Sequence, residues 1–161
     1  MTKIAINEQG DEVEVSDSTP VKTVDGVHYL LTESDQDEIS QKENEYTQKK
    51  ASLLNSYKNV YRKLREDEGV SHEGNIYDSD IGAQIKLTPV YIKASSNPSF
   101  SKSWKTQDGS FVTLDQAGFI AMAEAIFSHV DKCFQALEAI QGTAYNSKAE
   151  IETAFDNAYN S

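Results

Sequence analysis

Two residues that could bind a metal, His129 and Cys133, are four positions apart in a stretch with a helical pattern. Side chains at this spacing lie on the same face of a helix. A structural zinc site uses four donors and a catalytic zinc site usually three, and the chain has no second cysteine. Cys133 also falls on an apolar stripe, where a cysteine packs as a small hydrophobic residue. We therefore expect a structural His129 with satisfied hydrogen bonds, and neither a metal nor a cofactor.

Signatures of catalysis are missing from the rest of the chain. There is no nucleophile elbow and no glycine-rich phosphate cradle. A cysteine in the middle of an apolar helical stripe is not expected to be reactive. The 26 acidic residues guarantee that some pair stands at a suitable separation for glycoside hydrolysis, so such a pair carries no information. The sequence therefore predicts that the protein is not an enzyme.

The charge balance limits the classes of partner. The chain has 161 residues and a formal net charge of −11, which argues against a broad electrostatic surface for nucleic acid or an anionic membrane. Mean hydropathy is −0.58, and no apolar run approaches the roughly 20 residues that span a bilayer. We expect partners with neutral or basic protein surfaces, and a location in the cytoplasm or in a particle assembled there.

The C-terminal region contains the longest apolar helical pattern in the chain. Its apolar residues recur at steps of three and four, which places them on one wide helix face. Thr113 and Gln116 form a capping-box pattern at the start, and Gly142 stands where a left-handed C-terminal residue is expected. Upstream, Asp108-Gly109 predicts a tight hairpin turn. The predicted core residues of this hairpin and helix are Trp104, Phe111, Phe119, Met122, Ile126, Val130, Phe134 and Leu137.

A long ordered pattern extends through the same region. It consists of Asn97-Pro98-Ser99-Phe100, Trp104-Lys105-Thr106-x-Asp108-Gly109-x-Phe111-Val112-x-Leu114-Asp115, Phe119-Ile120-Ala121-Met122-Ala123 and His129-Val130-x-x-Cys133-Phe134. This pattern resembles an uncharacterised C-terminal domain found in tail-fibre assembly proteins and related small tail proteins of tailed bacteriophages. The resemblance covers a third to a half of the chain. It implies a phage tail as the context and supplies no catalytic residues.

Residues 1–31 alternate in the manner of short strands. Ile4 and Ile6 mark one face of the first strand, and Val13 and Val15 do so for the second. The turns are predicted at residues 7–11 and at Asp25-Gly26. Strands this short form a small antiparallel sheet that is only marginally stable alone. A partner or the following helices must therefore cover it.

Residues 32–68 contain no proline or glycine and begin with a helix-start pattern at residues 32–35. A helix of roughly 33 residues would extend roughly 50 Å. Apolar residues repeat every seven positions, although Glu43 and Lys50 occupy the matching second line in the first half. Three interpretations remain: an oligomeric coiled coil, a helix packed on its own domain, and a break near residues 44–48. The candidate interface residues are Ile39, Tyr46, Leu53, Tyr57, Val60, Tyr61 and Leu64.

Residues 69–96 give the least definite pattern. Asp78-Ser79-Asp80 could cap a short helix, whereas Pro89 and the alternation of Ile85 with Leu87 would suit an edge strand. We predict a helix over residues 81–88, partly because the resembling phage domains have one here. At the C-terminus, Ser147 and Glu150 form a capping box that begins a short helix, which can fold back on the preceding one.

These patterns predict an α+β fold with a small N-terminal antiparallel sheet over residues 1–31, a long connecting helix over 32–68, and a C-terminal domain over 69–161. In that domain a β-hairpin packs on a helical hairpin. The predicted function is that of a phage tail-fibre accessory protein, a chaperone or attachment factor working through protein–protein contacts of the sheet edge and the long helix. The expected partners are a tail-fibre or baseplate protein and a second copy of the chain.

Two alternatives accompany this prediction. The first is a permanent virion adaptor that joins fibres to the tail or baseplate. The second is a phage-encoded enzyme or host-takeover factor, which would need a convergent polar cluster that the sequence does not show. The accessory protein is expected in the host cytoplasm during assembly, and the adaptor is expected in the virion tail.

Overall fold

The computed structural model describes residues 1–7 and 10–161 and has the α+β fold that the sequence predicts. The described residues form two compact units, residues 1–50 and residues 51–161. The boundary between the units falls inside a long helix, whereas the sequence pattern places that helix in a segment of its own. In the predicted first turn, Glu8 and Gln9 lie outside the described residues.

The N-terminal unit contains a four-stranded sheet. Its strands are β1 (Thr2–Ile6), β2 (Glu12–Ser16), β3 (Val21–Val24) and β4 (Val27–Leu30), in the spatial order β2-β1-β4-β3. Two antiparallel hairpins make up this sheet, β1 with β2 and β3 with β4. They join where β1 meets β4 in parallel at Ile6 and Tyr29, so the sheet is mixed and not purely antiparallel as predicted. Asp25 and Gly26 have φ of 48° and 82°, as a type I′ hairpin turn requires.

Helix α1 (Glu33–Glu66) is continuous over 34 residues, so the break considered near residues 44–48 does not occur. Its N-terminus has the predicted capping box. Thr32 Oγ1 accepts a hydrogen bond from the Asp35 amide at 3.1 Å, and the Thr32 amide donates to Asp35 Oδ2 at 3.1 Å. These bonds satisfy first-turn amides that would otherwise have no partner.

The second unit contains the C-terminal half of α1 followed by two hairpins and three helices. These are β5 (Val70–His72), β6 (Asn75–Tyr77), α2 (Ile81–Ser95), β7 (Ser101–Lys105), β8 (Phe111–Asp115), α3 (Gln116–Gln141) and α4 (Lys148–Tyr159). Strands β7 and β8 pair around Asp108-Gly109 as predicted, and Gly109 has φ of 93°. Helix α3 contacts β8, α2 and α4. Ser147 caps α4 by accepting a bond from the Glu150 amide.

Helix α2 confirms the helical prediction for residues 81–88 and continues beyond it. Asp80 caps its N-terminus by accepting a bond from the Ala83 amide at 2.9 Å. Pro89 lies inside the helix, which nevertheless extends to Ser95. Leu87 and Ala94 are fully buried on either side of the proline, and this packing holds the helix together across the missing amide.

Helix α3 ends at Gly142 as predicted, but its N-cap residue and the conformation of Gly142 differ from the prediction. The N-cap is Asp115, whose Oδ1 accepts from the Gly118 amide at 2.8 Å. Thr113 instead pairs with Ser103 in the hairpin, and Gln116 donates to the Ala94 carbonyl at the end of α2. Gly142 ends the helix with φ of −81°, so it is not the left-handed residue that was predicted.

The core of the second unit consists of two clusters along α3. The first joins α2, α3 and both hairpins, and the second joins α1, α3 and α4. Phe119, Met122 and Ile126 are fully buried in the first, and the Trp104 ring packs edge-on against Phe119 with centroids 5.2 Å apart. In α3, Val130 and Leu137 are half-buried.

Two residues predicted to belong to this core are exposed. Phe111 is 70% exposed because the alternation along β8 directs Val112 and Leu114 inward and Phe111 outward. Phe134 is 51% exposed because it lies at the margin of the apolar stripe of α3. There the Arg62 guanidinium lies over its ring, 4.3 Å from the centroid.

Candidate protein-binding surfaces

A cluster of polar groups in the second unit surrounds His129, which is largely buried. His129 Nε2 lies 3.0 Å from the Arg65 carbonyl, which can only accept, so this nitrogen donates. His129 Nδ1 then accepts from the Tyr159 hydroxyl at 2.6 Å. Both ring nitrogens are thus occupied in linking α3 to α1 and α4. This is the structural role that the sequence predicts for His129, and it leaves no free nitrogen to act as a general base or metal ligand.

Cys133, one turn further along α3, has no chemistry available to it. Its side chain is fully buried, and burial raises the pKa of the thiol to about 11, so it remains protonated at neutral pH. The sulfur lies 3.9 Å from His129 Nε2, whose hydrogen is directed to the Arg65 carbonyl. Across residues 1–7 and 10–161, no three side chains of the metal-binding types come together in a group that could hold an ion.

Two of the predicted interface residues, Tyr57 and Tyr61, are used inside the second unit. The Tyr57 hydroxyl donates to Glu152 at 2.5 Å, and the Tyr61 hydroxyl donates to Asp156 at 3.0 Å. Burial raises the pKa of Tyr61 to about 12, and the bond to Asp156 adds to this effect. These tyrosines fix α1 to α4 and are not free for a partner.

The sequence contained a signal for this pairing. Tyr57 and Tyr61 are four residues apart, as are Glu152 and Asp156, so two helices that run in the same direction can pair Tyr57 with Glu152 and Tyr61 with Asp156. The acidic residues of the chain are so numerous that this match did not stand out.

Lys58 was not identified from the sequence. Its side chain is only 3% exposed, and its ammonium donates to the carbonyls of Gln141 and Thr143, both at 2.8 Å. Since the C-terminal end of a helix carries partial negative charge, Lys58 satisfies both the hydrogen bonds and the electrostatics at the end of α3. A cavity of about 270 Å³ adjoins it, lined also by Asn55 and Tyr145.

The other candidate interface residues of α1 are exposed. In the second unit, Leu53 is 64% exposed and Val60 52%, and Leu64 is similarly open. We refer to Leu53, Val60 and Leu64 as the α1 ridge. In the N-terminal unit, Ile39 and Tyr46 also extend into solvent from α1. Residues seven apart on a helix share one side, so the ridge is an apolar line next to the face that packs on α4.

The sheet of the N-terminal unit has an exposed apolar face. The pairing register places Ile4, Ile6, Val24, Val27 and Tyr29 on the same side of the sheet, and we call this set the outer sheet face. All of them except Ile6 are exposed. A hollow of about 490 Å³ lies on it, lined in part by Ile6, Val24 and Tyr29. The sequence predicted that this small sheet needs a cover, and the described residues leave this face open.

Helix α2 adds a third exposed apolar stripe. Its outward side carries Ile81, Ile85 and Ile92, all exposed, while its inward side buries Leu87 and Ala94. Helices that are apolar on all sides are normally covered. The sequence alone does not show which side of this helix faces the core.

Comparisons with known proteins identify the family of this chain but give no function for it. Among the described residues, no helix is both long and apolar enough to cross a membrane. No curated protein and no solved structure matches the chain. One family model does match, over residues 47–159, and it is described as a domain of unknown function, DUF4376. The match covers the second unit almost completely, and the chain belongs to this DUF4376 family.

Proposed function

We propose that this member of the DUF4376 family is a non-enzymatic accessory protein of phage tail-fibre assembly, which binds a fibre or baseplate protein through its N-terminal sheet. The phage context is taken from the resemblance of the hairpin and α3 region to small tail proteins. The binding role is inferred from the surfaces of the molecule. The main support for the binding role is the set of exposed apolar residues on the outer sheet face.

The outer sheet face has the features of a binding surface. Val24, Val27 and Tyr29 are exposed side by side on the paired strands β3 and β4, with Ile4 exposed on the neighbouring strand β1. Contiguous exposed apolar patches on a soluble domain mark interaction sites. On the same side of the sheet, Glu12 and Glu14 flank this patch at the β2 edge and Lys22 flanks it at the β3 edge. This favours a partner with an apolar centre and with basic groups on the side that meets β2.

The open sheet edges suggest how a fibre segment would bind. Strands β2 and β3 form the two edges, each with one row of backbone groups that pairs with no described strand. An extended segment of a partner can add to such an edge through backbone hydrogen bonds, while the apolar face accepts its side chains. A chaperone would provide a transient cover of this kind for an extended segment until that segment assembles.

The polar clusters of the second unit favour a non-enzymatic role. His129 and Lys58 are buried and Tyr61 is half-buried, and each makes hydrogen bonds that join helices. A catalytic group must reach a substrate, and these groups face the interior. We therefore assign the second unit the role of a stable body that carries the binding surfaces.

A permanent virion adaptor is the alternative proposal, because the same sheet face could be incorporated into a tail. Peptide mass spectrometry on purified infectious particles and on infected-cell lysate separates the two. We expect the protein in the lysate, bound to a fibre or baseplate protein, and absent from particles. A fixed copy number in particles that is a symmetric multiple would instead identify an adaptor. Absence of any tail protein among its bound partners would refute both roles.

A further inference from the structure

The two halves of α1 carry exposed apolar residues at the same spacing. Ile39 and Tyr46 in the first half are seven residues apart, and Leu53 and Val60 in the second half are seven apart as well. All of them are exposed. The packing of the second unit uses a different side of the helix, through Tyr57 and Tyr61. The chain therefore presents two apolar pairs of equal length that its own described residues do not cover.

The charges of α1 are divided between the same two halves. Residues 33–49 carry six acidic and two basic side chains, and residues 50–66 carry one acidic and five basic side chains. The formal charges are therefore −4 and +4. A parallel pair of such helices would place like charge against like charge along its whole length, whereas an antiparallel pair would match opposite charges.

We infer that α1 binds a second copy of itself in antiparallel orientation about a two-fold axis between Lys49 and Lys50. In this register Ile39 contacts Val60 of the second copy, and Tyr46 contacts its Leu53. The same two contacts recur on the other side of the axis, which gives four apolar layers. In an antiparallel pair the macrodipoles of the two helices also point in opposite directions, which is the favourable arrangement for helices side by side.

A second copy fits this surface because the apolar residues and the charges of α1 match those of an identical helix placed antiparallel to it. The apolar spacing reads the same in both directions about the axis, and the charge reverses at the axis. A two-fold contact of this kind closes on itself and gives a dimer, whereas a parallel contact with a stagger of two heptads would leave ends open and form filaments. This inference does not depend on the phage assignment, since it rests on α1 alone.

Light scattering across a concentration series tests the dimer on the full chain. Wild-type protein should reach the mass of a dimer, and Leu53→Asp or Val60→Asp should weaken dimerisation about tenfold or more, because each buries an unpaired charge. Asn59→Asp is the matched control, since it adds the same charge to an exposed position on another side of α1. Circular dichroism should show unchanged folding in all three, because the substituted side chains are exposed.

A substitution at Lys50 should strengthen the dimer instead of weakening it. Lys49 and Lys50 are both exposed, and in the antiparallel register Lys49 lies opposite Lys50 of the second copy on each side of the two-fold axis. Lys50→Gln removes both of these pairs of like charges and should tighten the dimer. A wild-type protein that stays monomeric at high concentration would overturn the inference, as would an equal loss of dimer in the Asn59→Asp control.

Disulfide trapping tests the orientation. Protein with Ile39→Cys and protein with Val60→Cys should form a cross-linked heterodimer when mixed, and neither should cross-link with itself. Cys133 does not interfere, because it is fully buried. Cross-linking of the Ile39→Cys protein with itself would show a parallel pair and would overturn the inference. Failure of every cross-link in a protein that dimerises would place the interface elsewhere and would overturn it as well.

Discussion

Tyr61 shows how a single half-buried hydroxyl links the stability of this molecule to pH. Its pKa is raised to about 12 from an ordinary value of 10.0, chiefly by burial and then by the bond to Asp156. The folded state thus holds this proton more tightly than the unfolded state does. Its contribution to stability is complete below pH 10 and is lost as the pH rises toward 12.

We expect the free energy of unfolding to fall between pH 10 and pH 12, and to fall less in Tyr61→Phe, which has no proton to lose. Denaturant titrations at several pH values measure both slopes. Tyr29→Phe is the control, since Tyr29 is exposed and lies outside the pairing of α1 that we infer. Equal slopes in wild type and Tyr61→Phe would contradict the assignment of the pH dependence to Tyr61.

Lys58 tests whether a buried ammonium stabilises the junction of α1 with the end of α3. Lys58→Met keeps the length of the side chain but leaves the Gln141 and Thr143 carbonyls without this donor. We expect a loss of about 1–3 kcal/mol in the free energy of unfolding. Lys86→Met, at an exposed position of α2, should change it little. A Lys58→Met protein as stable as the wild type would show that the two bonds contribute no net stability.

At the scale of the elements, the residue that caps the N-terminus of α3 differs from the residue that the sequence pattern indicates. Asp115→Ala removes the side chain that accepts from the Gly118 amide and should cost about 1 kcal/mol. Thr113→Ala removes the residue that the capping-box pattern indicated, and it should cost less, because the Thr113 side chain bonds only to Ser103. Thermal unfolding of the two variants decides the order. A larger loss in Thr113→Ala would contradict the observed cap.

The elements that could be predicted are those with local signals. The caps at Thr32 and Ser147 and the turn at Asp108-Gly109 depend on side chains a few residues apart, so the sequence suffices for them. Helix α2 could be predicted only in part, because its continuation through Pro89 depends on burial against α3. The hairpin of β5 and β6 was missed, since strands of three residues are too short to show an alternating pattern.

It was harder to predict which side of each helix or strand faces the core than to predict the helices and strands themselves. The heptad pattern of α1 correctly identified a set of apolar residues, yet it could not separate Tyr57 and Tyr61, which pack internally, from Leu53 and Val60, which are exposed. That separation depends on where α4 lies, which is a tertiary property. Phe111 was expected in the core and is exposed, because the side of β8 that faces the core is a tertiary property as well.

At the scale of the whole molecule, the two units should differ in their ability to fold alone. Residues 51–161 contain both core clusters, so this fragment should unfold in one cooperative transition. Residues 1–50 contain one small sheet with an open apolar face and should show no such transition. Circular dichroism melts of the two fragments measure this. A cooperative transition in the 1–50 fragment would contradict the view that its sheet needs a cover.

The most direct test of the account is capture of a tail protein from infected cells by the tagged full chain. Wild-type protein should retain a fibre or baseplate protein. Val27→Asp, which places a charge on the outer sheet face, should lose it, while Ser18→Asp, in the turn between β2 and β3, should keep it. Retention of the tail protein by Val27→Asp at the wild-type level would contradict binding through the outer sheet face. Capture of no tail protein by the wild type would contradict the proposed function itself.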